Sequence, residues 1–416
     1  AYQLNTAIVN TAPSYGNLSY ETTIVKQMIT PFSGQGSAAN FNQDNRSVAS
    51  GNWNSLYQNN IKELTDVIVK TKDIPTKSNL YHMARIWKAY SFMILTDTYG
   101  DIPYSQAGKN YLEGISAPIY DTQESVYSAI LTELESASAA LDATKAKVST
   151  DLLYDGDVTK WKRFGFSLLL RASMRLSKVN PAKSAEYVAK AVAGGLMQSN
   201  ADNAIIRHNP NFSNPIGSQL NGGQSAFFYL AEDFVNFLKK TNDPRLEAIA
   251  VRYVGATSGA QQIESRANRT KDVQIGAPLG FDNTTITVAV KEKKLASLWD
   301  YSQLDRTRVG GLNAPSFLVT YSQTQLLLAE AVNRKWTTGT VATLYSSGIK
   351  AHMQQFASYG ASTIISDAAI NAYLLSYPLT SGNELEDINT QYWISSFLVG
   401  PESWANFRRS GFPVLK

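Results

Sequence analysis

The chain contains no cysteine, which removes disulfides, thiolate nucleophiles and cysteine-ligated metals together. An exported protein of this kind would rely on its core alone. Histidine is nearly as scarce: His82, His208 and His352 are scattered over 416 residues. Neither an H-E-x-x-H zinc site nor a local pairing of nucleophile and base can be built from them, and His82 and His352, which fall within helical patterns, read as structural or surface groups. Charge is also sparse, at 17% of residues against a usual share of about a quarter. The excess of four positive charges is small for this length, and no long block of like charge occurs, so nucleic acid is not implied as a partner. "KEKK", Lys291 to Lys294, reads as a solvated turn. There is no apolar run of about 18 residues. G-x-S-x-G and G-x-x-x-x-G-K-[ST] are both absent, and "SGQGSAAN" lacks the third glycine of a dinucleotide loop. Phosphate-binding catalysis is therefore unsupported, and the sequence implies no cofactor and no metal.

What remains is a chain with an ordinary 44% hydrophobic content, enough for a packed globular core. Its polarity is carried by Asn, Ser, Thr, Gln and 22 tyrosines, a surface suited to hydrogen bonds and ring faces. From Trp53 to Thr71, Leu56, Asn60, Leu64, Val67 and Ile68 share one helical face, interrupted only by Asn60, and Pro75 follows as the stop. A second helix runs from about Asn79 to Tyr99, with Met83, Trp87, Tyr90, Ile94 and Leu95 at three-and-four spacing and Gly100 where a helix ends. The short loop between the two predicts antiparallel neighbours. The same design returns from Glu124, Thr159 and Pro181, and again in "SQTQLLLAEAVNRKW" and "TVATLYSSGIKAHMQQFASYG". Such pairs resemble tetratricopeptide units, which bury their apolar faces only by stacking.

Between these helical parts the rhythm is lost. "QSNADNAIIRHNPNFSNPIGSQLNGGQS" and the stretch from Val254 to Pro315 are rich in turn residues, with "TTITVAV", Thr284 to Val290, the best strand candidate. The expected fold is all-α: a tetratricopeptide-like scaffold of helical pairs with long irregular loop regions and little β structure. One domain spans 1–416, with the scaffold at about 17–196 and 316–416 and a loop-rich region at about 197–315.

Paired carboxylates are the one catalytic pattern left. "LTDTYGDIPYSQAG" holds Asp97 and Asp101, and "DLLYDGD" holds Asp151, Asp155 and Asp157, usable in principle for glycoside hydrolysis or calcium. The glutamate that closes a calcium loop is replaced by Lys162, and Asp157 stands where it would cap the Trp161 helix. Asp97 and Asp101 bracket a helix end, so termination explains them more simply than catalysis.

The segment "ARIWKAYSFMILTDTYGDIPYSQA" resembles the hallmark helix and exit turn of the SusD-like outer-membrane proteins of Bacteroidetes. "GDVTKWKRFGFSLLLRASMRLSKVNPAKS", "TNDPRLEAIA" and "TYSQTQLLLAEAVNRKW" agree in order and spacing, and the closing "WISSFLVGPESWANFRRSGFPVL" is most similar to the second SusD-like subgroup. Leu169 departs from the pattern, where many relatives carry a second basic residue ahead of Arg171. The resemblance implies a glycan-binding protein and not an enzyme. It would sit on the cell surface at the outer membrane, held by a lipidated cysteine that would precede Ala1, and would pass oligosaccharide or polysaccharide to a SusC-like TonB-dependent transporter. Three alternatives stay open: an oligopeptide-binding member of the same family, an all-helical hydrolase or lyase using the aspartate pairs, and a protein-binding tetratricopeptide adaptor.

A sugar site needs an aromatic platform with amide or charged groups at its rim, placed on loops over a rigid scaffold. Trp87, Trp161, Trp336, Trp393 and Trp404 fit helical stripes and read as core, with Trp53 in reserve. Trp299 does not fit one; with Tyr301 and Arg306 it lies in the irregular region. The early loop adds Phe32, Asn40, Phe41, Asn42 and Asp44, a mixture of rings and hydrogen-bonding groups. In "NGGQSAFFYLAEDF" three rings are adjacent, at least one of which must enter the core; Phe228 and Tyr229 are the ligand candidates taken from it.

Overall fold

Helix formation follows the apolar spacing. The computed structural model describes residues 1–32, 40 and 45–415. Its scaffold helices are α1 (Tyr2–Val9), α2 (Lys62–Thr71), α3 (Ser78–Tyr99), α4 (Gln123–Ala140), α5 (Val158–Arg175), α6 (Pro181–Gly194), α7 (Glu232–Lys240), α8 (Tyr321–Asn333), α9 (Val341–Gln355), α10 (Glu384–Ser395) and α11 (Gly400–Ser410). Consecutive helices from α2 to α6 pack side by side, as do α8 with α9, while α10 and α11 fold back so that α11 reaches α3. None of the described helices is long and apolar enough to cross a membrane.

Local chemistry sets the helix ends. Asp157 accepts from the Lys160 amide at the start of α5, as its position ahead of that helix predicted. Asn180 accepts from the Lys183 amide, with Pro181 opening α6. Gly100, at φ +80°, stops α3 in a conformation that a side chain disfavours. Asn60, the one polar residue on its apolar face, sits in a π turn (Leu56–Ile61) ahead of α2. Its buried amide donates to the Ala7 carbonyl and the Thr11 and Ser91 hydroxyls, so the irregularity joins α1, α2 and α3.

Trp87 and Trp161 are fully buried as expected, and Trp87 stacks on Phe164 at 5.6 Å. Trp336 and Trp404 are only partly buried against the core. Gly165 lets α5 approach α4 closely, since a Cβ there would lie 2.0 Å from Ser138 Oγ.

Charge ties the scaffold helices together. Arg175 bridges Asp97 at 3.2 Å and Glu402 at 2.7 Å, and Arg171 reaches the same glutamate at 3.1 Å. Asp97 therefore does more than end a helix: it ties α3 to α5 and, through Glu402, to α11, with the Tyr127 hydroxyl on its second side. Asp101 accepts from the Gln123 amide at the start of α4. Arg409 forms a fork on Glu330, both bonds 2.7 Å, joining α11 to α8. Burial alone would raise the Glu330 carboxyl, but Arg409 and Arg334 outweigh it and hold the group at about 2.

Glu21 behaves oppositely. It too is buried, and desolvation, only partly offset by Asn17 and Asn52, pushes it up to about 7. A carboxyl raised above its unfolded value takes up protons on folding, so it lowers stability as pH rises from about 4.5 to 7. Glu21→Gln is expected to gain up to about 3 kcal/mol above pH 7 and nothing below pH 4.5, as read by urea denaturation at pH 4 and pH 8. Equal gains at both pH values would exclude this account.

Among the described residues the β strands are short and pair antiparallel. β1 (Met28–Ile29) pairs with β3 (Tyr229–Leu230), β2 (Ala204–Ile206) with β7 (Ser316–Val319), and β4 (Ala250–Tyr253) lies between β5 (Ala267–Asn268) and β6 (Gln303–Leu304). The β2–β7 pair brings the start and finish of the irregular region together. The expected strand at Thr284–Val290 is not one. Asp282 Oδ1 accepts from the amides of Thr284 and Thr285 and from the Thr285 hydroxyl, so a turn and then a helix, Thr287–Glu292, form instead. Local capping overrides the β-branched preference.

Candidate ligand-binding site

Three rings gather at the edge of the irregular region. Phe32 meets Phe227 edge to face at 4.7 Å and lies 6.5 Å from Trp299. Phe227 is exposed, while Phe32 and Trp299 are partly buried.

Trp299 stands in a single 3-10 turn, Leu298–Asp300, and its own amide donates to the Ser297 hydroxyl. Asp300, 2% exposed, accepts from Arg252 and from the amides of Gly255 and Ala296. Gln262 donates to the Trp299 carbonyl at 3.0 Å. The backbone under the indole is thus held from several sides, the condition for a rigid contact. Gly259 faces the indole edge, where a Cβ would sit 3.5 Å from Nε1. That Nε1–H has no acceptor among the described residues.

The structure redistributes the other expected residues. Tyr301 and Tyr229 are 0% exposed and Phe228 is 1% exposed, so none of the three can touch a ligand. Phe228 packs edge to face on Tyr15, and Tyr229 donates to the Ala226 carbonyl. The physical reason is the alternation of extended backbone: Phe228, just before β3, and Leu230 enter one apolar cluster and Tyr229 between them enters another, while Phe227, in the preceding turn, is left at the surface. Tyr229 and Tyr301 share their cluster with Phe32 and Trp299; they are the underside of the platform.

Asn40 is likewise a brace. Its amide donates to the carbonyls of Thr30 and Phe281 and accepts from the Gly280 amide, so its hydrogen-bonding capacity is spent inside the protein. Phe41, Asn42 and Asp44 lie outside the described residues. Arg306 donates to the carbonyls of Ser225 and Gln262 and to the Tyr253 hydroxyl, holding the loop that carries Phe227 rather than waiting for an anion. Of the named candidates among the described residues, Trp299 keeps a partly exposed ring. Phe32 and Phe227 join it, and the sequence signal for Phe227 was its place in a three-ring run whose parity could not be read.

The aspartates have structural work. Asp151 accepts from the amides of Leu153, Tyr154 and Gly156 and from Trp161 Nε1, Asp155 faces Lys147 at 3.6 Å, and Asp157 caps α5. His352 is buried against Arg245, and burial followed by that cation pushes its pKa well down. His208 bonds Ser316 and stacks on Phe212.

Comparison with known proteins places these features in a wider set. A SusD-like family model, described as starch-binding associating with outer membrane, matches residues 2–416. A solved chitin-binding protein is 28% identical with a TM-score of 0.87, over 100% of this chain and 88% of the other. A Bacteroidetes SusD-like structure is 26% identical with a TM-score of 0.86, over 100% and 89%. A chitin-binding SusD homologue from Flavobacterium johnsoniae shares the fold at 24% identity, TM-score 0.76, over 100% and 83%. No curated protein sequence matches the chain.

Proposed function

The chain belongs to the SusD-like family, and from that premise we propose that it captures a glycan at the cell surface and hands it unaltered to a SusC-like TonB-dependent transporter. The observation that carries this is the trio of Phe32, Phe227 and Trp299, of which Phe227 is exposed and Trp299 stands on a turn fixed by Asp300 and Gln262. Sugar rings offer flat C–H faces that pack on aromatic rings, with hydroxyls or amides left for donors such as the Trp299 indole. The loop-rich part of the chain is then the binding region, and the stacked helices are its support.

The work is binding rather than catalysis. Each aspartate pair considered for hydrolysis is committed to helix ends, turns or ion pairs. In this reading the protein is lipid-anchored at the outer membrane.

Chitin oligosaccharides are the first ligands to test, because the 28% identical relative is described as chitin-binding, and malto-oligosaccharides come next because of the family description. Titration calorimetry against a glycan panel is expected to find at least one oligosaccharide that binds without being cleaved. Silence across the panel, or release of shortened products, would falsify the proposal.

A further inference from the structure

A cavity of about 440 Å³ opens where the end of α3, the starts of α4 and α6, the end of α5 and α11 converge. None of the ring trio lines it. Its walls carry Arg175, Lys183, Arg408 and Arg409, against which stand Asp97 and Glu124.

These charges do not cancel. Arg409 is matched by Glu330, outside the cavity. Asp97 is engaged by Arg175 and Tyr127. Lys183 donates to a neutral oxygen, Ser128 Oγ, at 2.7 Å. Arg408 donates to the Asp97 backbone carbonyl at 3.0 Å and lies over the Trp404 ring. Neither has a carboxylate partner among the described residues. Arg175, whose side chain is 5% exposed, uses Nε and Nη2 on Asp97 and Glu402, while Nη1 has no partner.

A buried guanidinium donor left unmatched is costly, and two further cations hold their place beside it without an anion. The first turn of α6, with Asn180 and Lys183 on the cavity wall, adds the positive end of a 14-residue helix. Glu124, exposed on the first turn of α4, is the wall's other carboxylate, and against four cations the two leave a positive balance.

We propose that this cavity is a second binding site, distinct from the ring trio, that takes the oxyanion of a small acid, a carboxylate or phosphate group held between Lys183 and Arg408 above Arg175. Arginine grips such groups through paired N–H bonds and lysine through its point charge. The inference does not depend on the glycan reading.

The test titrates D-glucuronate, D-glucose and inorganic phosphate into the wild-type protein and into the double variant Lys183→Gln/Arg408→Gln, followed by NMR. Arg408 is exposed and Lys183 only half-buried, and the variant is expected to keep the wild-type melting profile and glycan affinity. Glucuronate and phosphate are expected to bind the wild type and to bind the variant at least tenfold more weakly, with glucose indifferent to the substitutions. Tighter binding of glucuronate names a sugar acid as the source of the oxyanion; tighter binding of phosphate names the free ion. If neither anion binds the wild type, or if the variant binds both as well as the wild type does, the site does not exist.

Discussion

Trp299→Ala is expected to weaken glycan binding by about 2 kcal/mol, roughly 30-fold in Kd, with little change in stability. The indole is partly exposed, so its removal opens no sealed cavity, and the turn beneath it is held by Asp300, Ser297 and Gln262 through the backbone or their own side chains. What is lost is the ring face and the Nε1 donor. Phe227→Ala, which removes an exposed ring beside Phe32, is expected to weaken binding several-fold. Tyr301→Phe supplies the contrast: its hydroxyl is buried with no partner among the described residues, so binding should be unchanged. Calorimetry on the three variants reads all of this, and a Trp299→Ala protein that binds as tightly as the wild type would remove the platform from the mechanism.

Glu330→Ala is expected to cost about 3–5 kcal/mol of folding stability. Glu330 accepts from Arg409 twice, from Arg334 at 2.9 Å and from Asn389 at 3.1 Å. Removing it leaves the Arg409 guanidinium, 6% exposed as a residue, without its carboxylate in the joint between α8, α10 and α11. Adding Arg409→Met should recover part of the loss, since the uncompensated cation goes with it. The linkage has a definite sign. The folded carboxyl, held at about 2, lies below its unfolded value of 4.5. Its contribution is therefore full above pH 4.5 and lost as pH falls toward 2. Wild-type stability should fall more steeply than the variant's across that window. Urea midpoints at pH 7, 4 and 3 measure both effects, and equal midpoints for wild type and Glu330→Ala at pH 7 would refute the assignment.

Some of the molecule is legible in the sequence. The helical stripe through Met83, Trp87 and Tyr90 becomes α3, Gly100 ends it, Asp157 caps α5 and Pro181 opens α6, because each depends on residues within a turn of one another. Trp299 stood out because no stripe explained it. The choice among Phe227, Phe228 and Tyr229 was not legible, because Phe228 and Tyr229 are buried on both sides of the backbone by distant segments, β1 among them, some two hundred residues away in the chain, while Phe227 falls outside that packing. Asn40 and Arg306 had the composition of a sugar rim, yet their donors are taken by carbonyls of distant segments. Thr284–Val290 carried a strand's residues and became a turn and helix through one aspartate at 282.

The sequence by itself determined the helical scaffold, its caps and the family, since these rest on short-range periodicity and on motifs written in consecutive residues. Tertiary structure alone decided which rings remain at the surface and which cations stay unmatched. Exposure and charge balance are sums over neighbours brought together from remote parts of the chain, and no local pattern encodes them.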